Sequence, residues 1–294
     1  MTDPVLLAQL LVNGLLLAGV YALMALGLNV IFGVIRVLNM AHGEILMVGA
    51  FAAFWAWRLA DLNPFFAFLA VGPLFFLFGY LFQYHVVARI ATSRMPLEDS
   101  SLLLTYGLSL SLVAFARLAW TSDYKSVPFL RGSMRLGELI VPYPRLAAFG
   151  AAIVITATLM ALLFKTRIGM AIRATAQSGE LASACGVRAR HVHAMAFGIG
   201  ATLAAAAGMM LSSLYAVYPD MGVEYSIRAF VIVILGGLGS MPGAFVGACV
   251  LGIVETFGSF YFGTLPATII PFLVVLVILL FRPAGILGSE RREG

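Results

Sequence analysis

Apolar residues fill long runs of this chain, and short polar or Gly/Pro stretches separate them. Runs near 8–33, 41–57, 64–88, 100–120, 145–164 and 192–216 each read as a helix long enough to span a bilayer, which needs about 20 apolar residues. The run from about 227 to 258 is too long for one crossing and is cut by "GGLGSMPGA", so it predicts a short helix, a Gly/Pro turn at 236–243 and a second helix. A last helix is predicted over about 265–281, stopping at "RPAGILG". The fold class expected is all-α, a polytopic integral membrane protein of about eight or nine transmembrane helices forming one domain over 1–294. The count is nine if the piece at 227–240 crosses and eight if it is re-entrant.

Composition agrees with this pattern: 62% of the 294 residues are hydrophobic and 11% are charged, against roughly a quarter charged in soluble domains. The net charge of +5 is spread between apolar runs and forms no stripe suited to nucleic acid. Its distribution bears on topology instead, because Lys and Arg favour the cytoplasmic side. With the N-terminus outside, the inner side holds Arg36, Arg89, Arg94, a cluster at 165–190, Arg282, Arg291 and Arg292, and the outer side holds Arg58, Arg117, Lys125, Arg131, Arg135, Arg145 and Arg228. Asp3, with no basic residue before the first helix, fits an external N-terminus and a cytoplasmic C-terminus. The start "MTDPVLLAQLL" lacks a basic n-region and a cleavage site, so it is expected to enter the membrane as part of the mature protein. Trp55, Trp57 and Trp120 fall at outer helix ends, as an aromatic belt would place them.

Catalytic chemistry finds no footing. A P-loop needs a lysine after a glycine-rich turn, and the two lysines, Lys125 in "DYKSV" and Lys165 in "LFKTR", do not follow one. His42 with Glu44, and His191 with His193, lack the i, i+4 spacing of a helical zinc motif, and the second pair is expected in a cytoplasmic loop. Cys185 and Cys249 match no CxxC or metal spacing. No metal, no cofactor and no enzyme activity are expected of this chain.

Polar residues inside apolar runs are the candidates for a translocation path, since such side chains turn toward the bundle interior or a wet cavity. Asn13, Tyr21 and Asn29 recur at offsets of eight and share a broad face, drifting about 80° per step. Gly14, Gly19, Gly27 and Gly33 on the same helix allow close approach of neighbours. In "VIRVLNMAHGEILMVGAF" Arg36 marks a cytoplasmic turn, Asn39 can cap the second helix, and Glu44 suits its positive dipole end. His42 has no such local reason and faces either the inner mouth of a passage or a hydrogen bond to a neighbouring helix. Glu255 is read as a pore acid, a partner of Arg228, or a residue reaching the interface. "GGLGSMPGA" favours tight turning over an anion nest.

The segment 165–191 is the longest polar stretch on the expected cytoplasmic side, alanine-rich and interrupted by Gly179 and Gly186. Alone it suits an amphipathic element on anionic lipid. "GELASACG" within it resembles the cytoplasmic motif of ABC importer permeases, with Glu180, Ala182 and Gly186 matching and Ser183 where a second alanine is commonest. "NGLLLAGVYALMALGLNVIFGVIRVLNMAHGEILMVGAF", "RATAQSGELASACGV", which contains Arg173, "GGLGSMPGAFVGA" and "RPAGILG" together resemble LivH-type branched-chain amino acid permeases over nearly the whole chain. One departure is Met40, where many relatives have phenylalanine.

The resemblance implies a permease subunit of the bacterial inner membrane that works by alternating access, with the coupling loop seated on an ATPase. It implies as partners a second related permease subunit, two ATPase subunits that use ATP and Mg²⁺, a soluble extracytoplasmic binding protein and an amino-acid substrate. The passage would form where two permeases meet. The alternative from another class is an ion-coupled secondary transporter, which broken helices would suit. Its candidate buried acids, Glu44 and Glu255, have no relay of acids or histidines between them.

Overall fold

The computed structural model describes residues 4–90 and 97–288; Asp3, Arg94, Arg291 and Arg292, which bear on orientation, lie outside them. The first helices are α1 (Pro4–Ile35), α2 (His42–Ala60) and α3 (Pro64–Phe82), which continues through a π-helical turn at Gln83–Val87 into α4 (Ala88–Ile90). Next come α5 (Leu97–Trp120), a two-stranded antiparallel hairpin of β1 (Ser133–Leu136) and β2 (Leu139–Pro142), and α6 (Tyr143–Lys165). The short α7 (Arg167–Gln177) and α8 (Gly179–Ala184) precede α9 (Ala189–Leu211), α10 (Met221–Gly236), α11 (Met241–Phe262) and α12 (Thr264–Phe281).

Seven of these are long and apolar enough to cross a membrane: α1, α2, α3 through its π turn, α5, α6, α9 and α11. In α1 and α9, 89% and 83% of the apolar segment is buried, against 17% in α3 and in α5, so the first two are the core and the others form the rim. A helix that is apolar all round belongs inside a bundle.

The central packing is antiparallel and nearly backbone to backbone. A Cβ at Gly14 would lie 2.8 Å from Ile253 Cα, and at Gly27 2.9 Å from the Gly200 carbonyl oxygen, while Gly33 faces Gly239. As α1 advances from residue 14 to 33, its contacts on the α10–α11 unit retreat from 253 to 239. Gly19 instead admits the Phe149 ring of α6. Small residues at these positions let helices approach where hydrocarbon supplies no hydrophobic drive.

Two ends of the bundle can be told apart. At one, Gln9 of α1 exchanges two 2.8 Å bonds with the Ile140 backbone of the hairpin, Lys125 pairs with Val217, and Arg117 bridges to Asp220. At the other, Asn29 binds the 237–240 turn. There Ile286 and Leu287 N–H groups donate to the carbonyls of Leu235 and Gly236 at the end of α10. "RPAGILG" is thus the cap of α10, with Gly285 at φ +83° packed against Gly237. α10 and α12 stand outside those seven, and α12 ends on the same side as α1, because the chain that follows it caps the end of α10.

Several expectations shift. The helix after Tyr218 begins at Met221, not near 227, and the polar segment 121–142 contains a hairpin that alternation in so short a stretch did not reveal. His191 and His193 lie half-buried in the first turns of α9, not in a loop, and His191 Nδ1 is 2.8 Å from the Tyr80 hydroxyl. Asn39 does not cap α2: the N-cap position is Ala41, and the Asn39 carboxamide closes the preceding turn by accepting from Ala41 N–H. The Gly43 N–H in the first turn of α2 donates instead to Ser226 Oγ of α10 at 2.8 Å.

That cross-helix cap depends on Gly43, where an added Cβ would collide with the Gly222 carbonyl oxygen and lie 2.5 Å from Ser226 Oγ. Gly43→Ala should destabilise the fold by about 1–3 kcal/mol, the scale of overpacking. Gly150→Ala, with nothing within 4 Å of the new methyl, should be neutral or slightly stabilising. Thermal unfolding in detergent compares the two, and equal Tm values would contradict the packing described.

Candidate functional site

A polar cavity of about 510 Å³ opens at the hairpin end, between α1, α6, α10, α11 and the 212–220 loop. Its centre is Arg228. Placed on α10 one turn after Glu224, it donates from Nη1 to Glu224 Oε1 at 2.8 Å, the i, i+4 geometry of a helix surface pair. Its Nη2 donates to Glu255 Oε1 of α11 at 2.9 Å. Tyr21 of α1 donates to Glu255 Oε2 at 2.7 Å, and Tyr218 donates to Glu224 Oε2 at 2.6 Å. Tyr225 lies under the guanidinium at 5.2 Å. Both oxygens of each carboxylate therefore have partners, as a charge away from water requires. Burial and the Glu224 carboxylate raise the Tyr218 phenol above its ordinary range, so it stays a donor at neutral pH.

Of the seven path candidates, this cavity brings together two, Tyr21 and Glu255. For Glu255 the ion pair with Arg228 is the arrangement observed. Asn29 lies elsewhere, with its amide donating to the Ser240 carbonyl at 2.7 Å and its oxygen accepting from Gly239 N–H at 2.8 Å, so it fixes the 237–240 turn. His42 Nε2 is 2.9 Å from the Met24 carbonyl, about three turns before α1 ends. The segment 36–41 thus doubles back along α1, and the imidazole bonds a neighbouring helix from a fully buried position. A carbonyl partner requires the Nε2–H tautomer. Glu44, on the opposite side of α2, lies beside Ser109 of α5. Asn13, Asn39, His42 and Glu44 each keep one buried side-chain atom without a partner, and none of the four lines this cavity.

Sequence reasoning missed Arg145, Tyr215, Tyr218, Glu224 and Tyr225 as cavity residues. The Glu224/Arg228 spacing was a usable signal, lost because the helix was expected to start after Glu224. Among the described residues no group of three His, Cys, Asp or Glu is placed to hold a metal ion.

At the opposite end the expected coupling segment forms a rigid corner. Thr166 caps α7 by accepting from Gly169 N–H at 3.0 Å, and Ser178 caps α8 by accepting from Leu181 N–H at 3.3 Å. α8 closes with Val187 N–H on the Ala182 carbonyl and Gly186 N–H on the Ser183 carbonyl, a Schellman motif in which Gly186 has φ +86°. Ala182 is buried; Glu180, Ser183 and Gly186 are exposed, and Leu181 between them is 71% exposed. Arg173 of α7 is half-buried with its guanidinium 5.0 Å from the Phe164 ring.

Residues 10–281 match the family described as branched-chain amino acid transport system, permease component. The chain is 33% identical to the high-affinity branched-chain amino acid transport system permease protein BraD of Pseudomonas aeruginosa, over 97% of each chain. It is 31% identical to LivH of Escherichia coli, a protein of the same description, over 97% of this chain and 96% of that one. Among solved structures, PsaBC from Streptococcus pneumoniae in complex with a Fab covers 91% of this chain and 90% of its own at a TM-score of 0.51 and 11% identity, a likeness of fold alone.

Removing one partner of a buried ion pair leaves a charge stranded. Arg228→Met, which leaves Glu224 and Glu255 without the cation they share, should lower stability by about 3 kcal/mol, whereas Glu255→Ala leaves Arg228 paired with Glu224 and should cost less. Thermal unfolding in detergent compares the two. A loss below about 1 kcal/mol for Arg228→Met would put the cluster in the class of surface salt bridges.

Proposed function

The chain belongs to the branched-chain amino acid permease family, and from that premise we propose that it is the permease of an ABC importer carrying branched-chain amino acids inward by alternating access. ATP and Mg²⁺ are used by two partner ATPase subunits, a second related permease completes the passage, and an extracytoplasmic binding protein delivers the substrate. The protein lies in a bacterial inner membrane with its N-terminus outside, in keeping with the basic residues gathered at 165–190. The observation that carries this reading is α8: a two-turn helix capped at both ends, presenting Glu180, Leu181, Ser183 and Gly186 to solvent at the end opposite the polar cavity. An exposed apolar Leu181 beside an acid, held this stiffly, suits insertion into a groove of a partner and gives a lone membrane protein no advantage.

Glu180→Ala and Gly186→Leu test it in proteoliposomes of the purified complex. Leucine at 186 meets a backbone conformation that L side chains rarely adopt. Each variant should lower uptake and substrate-stimulated hydrolysis about five-fold or more, the scale of a lost interface contact, while the chain remains inserted. Stimulated hydrolysis at the wild-type level would count against the docking role. Purification in mild detergent should bring an ATPase and a second permease with this chain; uptake by the chain alone from an ion gradient would favour a secondary transporter.

A further inference from the structure

The charges around the hairpin-end cavity are balanced but separated. Glu224 and Glu255 face one shared cation, Arg228, which leaves that cluster with one surplus negative charge. Glu255 is filled by Arg228 and Tyr21, and its side chain is 15% exposed; Glu224 is 41% exposed and is the carboxylate that meets the open space. On another wall stands Arg145, at the start of α6, which lines the same cavity and has no ion-pair or hydrogen-bond partner among the described residues. A cation without a partner beside a cavity whose other charges are all engaged is a group left to receive an anion. Phosphate or another multiply charged anion would meet the surplus negative charge of the Glu–Arg–Glu cluster, and a simple cation would meet Arg145. A molecule bearing both signs satisfies both walls.

We propose that this cavity is a zwitterion-selecting station for the α-amino acid: Arg145 receives the carboxylate, Glu224 receives the ammonium, Arg228 and Tyr218 hold Glu224 in place, and Leu17 and Ala216 face the apolar side chain. This rests on the reading of the chain as an amino-acid permease. It adds that the chain itself discriminates by charge, so selection is not left wholly to a binding protein. The volume of about 510 Å³ lies well within the range of small-molecule sites and leaves slack around an amino acid the size of leucine, as suits a site that must release its ligand.

The test uses the purified complex in nanodiscs with three probes: radiolabelled leucine, leucinamide, which lacks the carboxylate, and 4-methylpentanoate, which lacks the ammonium. In the wild type both analogues should compete for the leucine site at least about ten-fold more weakly than leucine itself, the scale of a lost charge-assisted hydrogen bond. Arg145→Gln should weaken leucine and 4-methylpentanoate binding about ten-fold and leave leucinamide unchanged; Glu224→Gln should weaken leucine and leucinamide and leave 4-methylpentanoate unchanged. Arg145→Lys and Glu224→Asp, which keep the charges, should bind leucine within a few-fold of wild type. Leucine binding unaltered in both glutamine variants, or weakened equally for all three probes, overturns the assignment. ATP-driven leucine uptake by the wild-type complex is measured in parallel: its absence fails the permease reading, whereas uptake together with unaltered binding in the variants fails only the zwitterion station.

Discussion

A backbone N–H or C=O without a partner in hydrocarbon costs several kcal/mol, and the end of α10 and the start of α2 are built around that cost. The end of α10 gives up its last carbonyls to the backbone of 286–287, and the turn that follows is held by both ends of the Asn29 amide. The first turn of α2 receives Ser226 from α10, and His42 in the same turn reaches back to the Met24 carbonyl. In each case the partner comes from an element distant in sequence. Helix ends, which in water would need only solvent, therefore act here as the joints that fix which helices are neighbours.

Those joints require backbones to come close, and glycine is what permits it. The contacts of Gly14 with Ile253, Gly27 with Gly200 and Gly43 with Gly222 bring α1, α2, α9, α10 and α11 together at distances that a methyl group would block. Close approach has an electrostatic consequence. Once α1, α10 and α11 are locked, Tyr21, Arg228 and Glu255 lie within hydrogen-bond reach of one another, and the guanidinium can be kept among apolar helices because two carboxylates answer it. The polar cavity is therefore a product of glycine packing as much as of the charged residues that line it.

Much of this was legible in the sequence, and the remainder was not for reasons that can be named. The apolar runs located every long helix, since burial of a continuous stretch leaves a mark in the residues that form it. The Gly/Pro break at 237–240 was equally plain, with Pro242 in the first turn of α11 and Ser240 as its cap. What escaped was convergence. Asn29 sits at a spacing that puts it on a face with Asn13 and Tyr21, yet it serves a turn about 210 residues away, and nothing local in "GLNVIF" signals that. Arg145 reads as one more basic residue at a helix end. Its place in the same cavity as Glu224 exists only once α6 packs beside α1, a contact made by Gly19 and Phe149.

The two ends of the molecule are joined by few flexible parts, which bears on how a push at one could be felt at the other. Only Val187 and Arg188 separate the Schellman turn of α8 from α9, and α9 runs through the core against α1 with Gly200 and Gly27 in backbone contact. α1 in turn carries Tyr21 at the cavity and Asn29 at the 237–240 turn. A displacement of α8 in the proposed permease therefore has no soft loop in which to dissipate before it reaches the helix that bears Tyr21. Because close-packed interfaces move between discrete arrangements and do not deform continuously, such a displacement favours a rigid shift of α9 together with α1, α10 and α11, which Gly14 against Ile253 and Asn29 on the 237–240 turn hold as one unit.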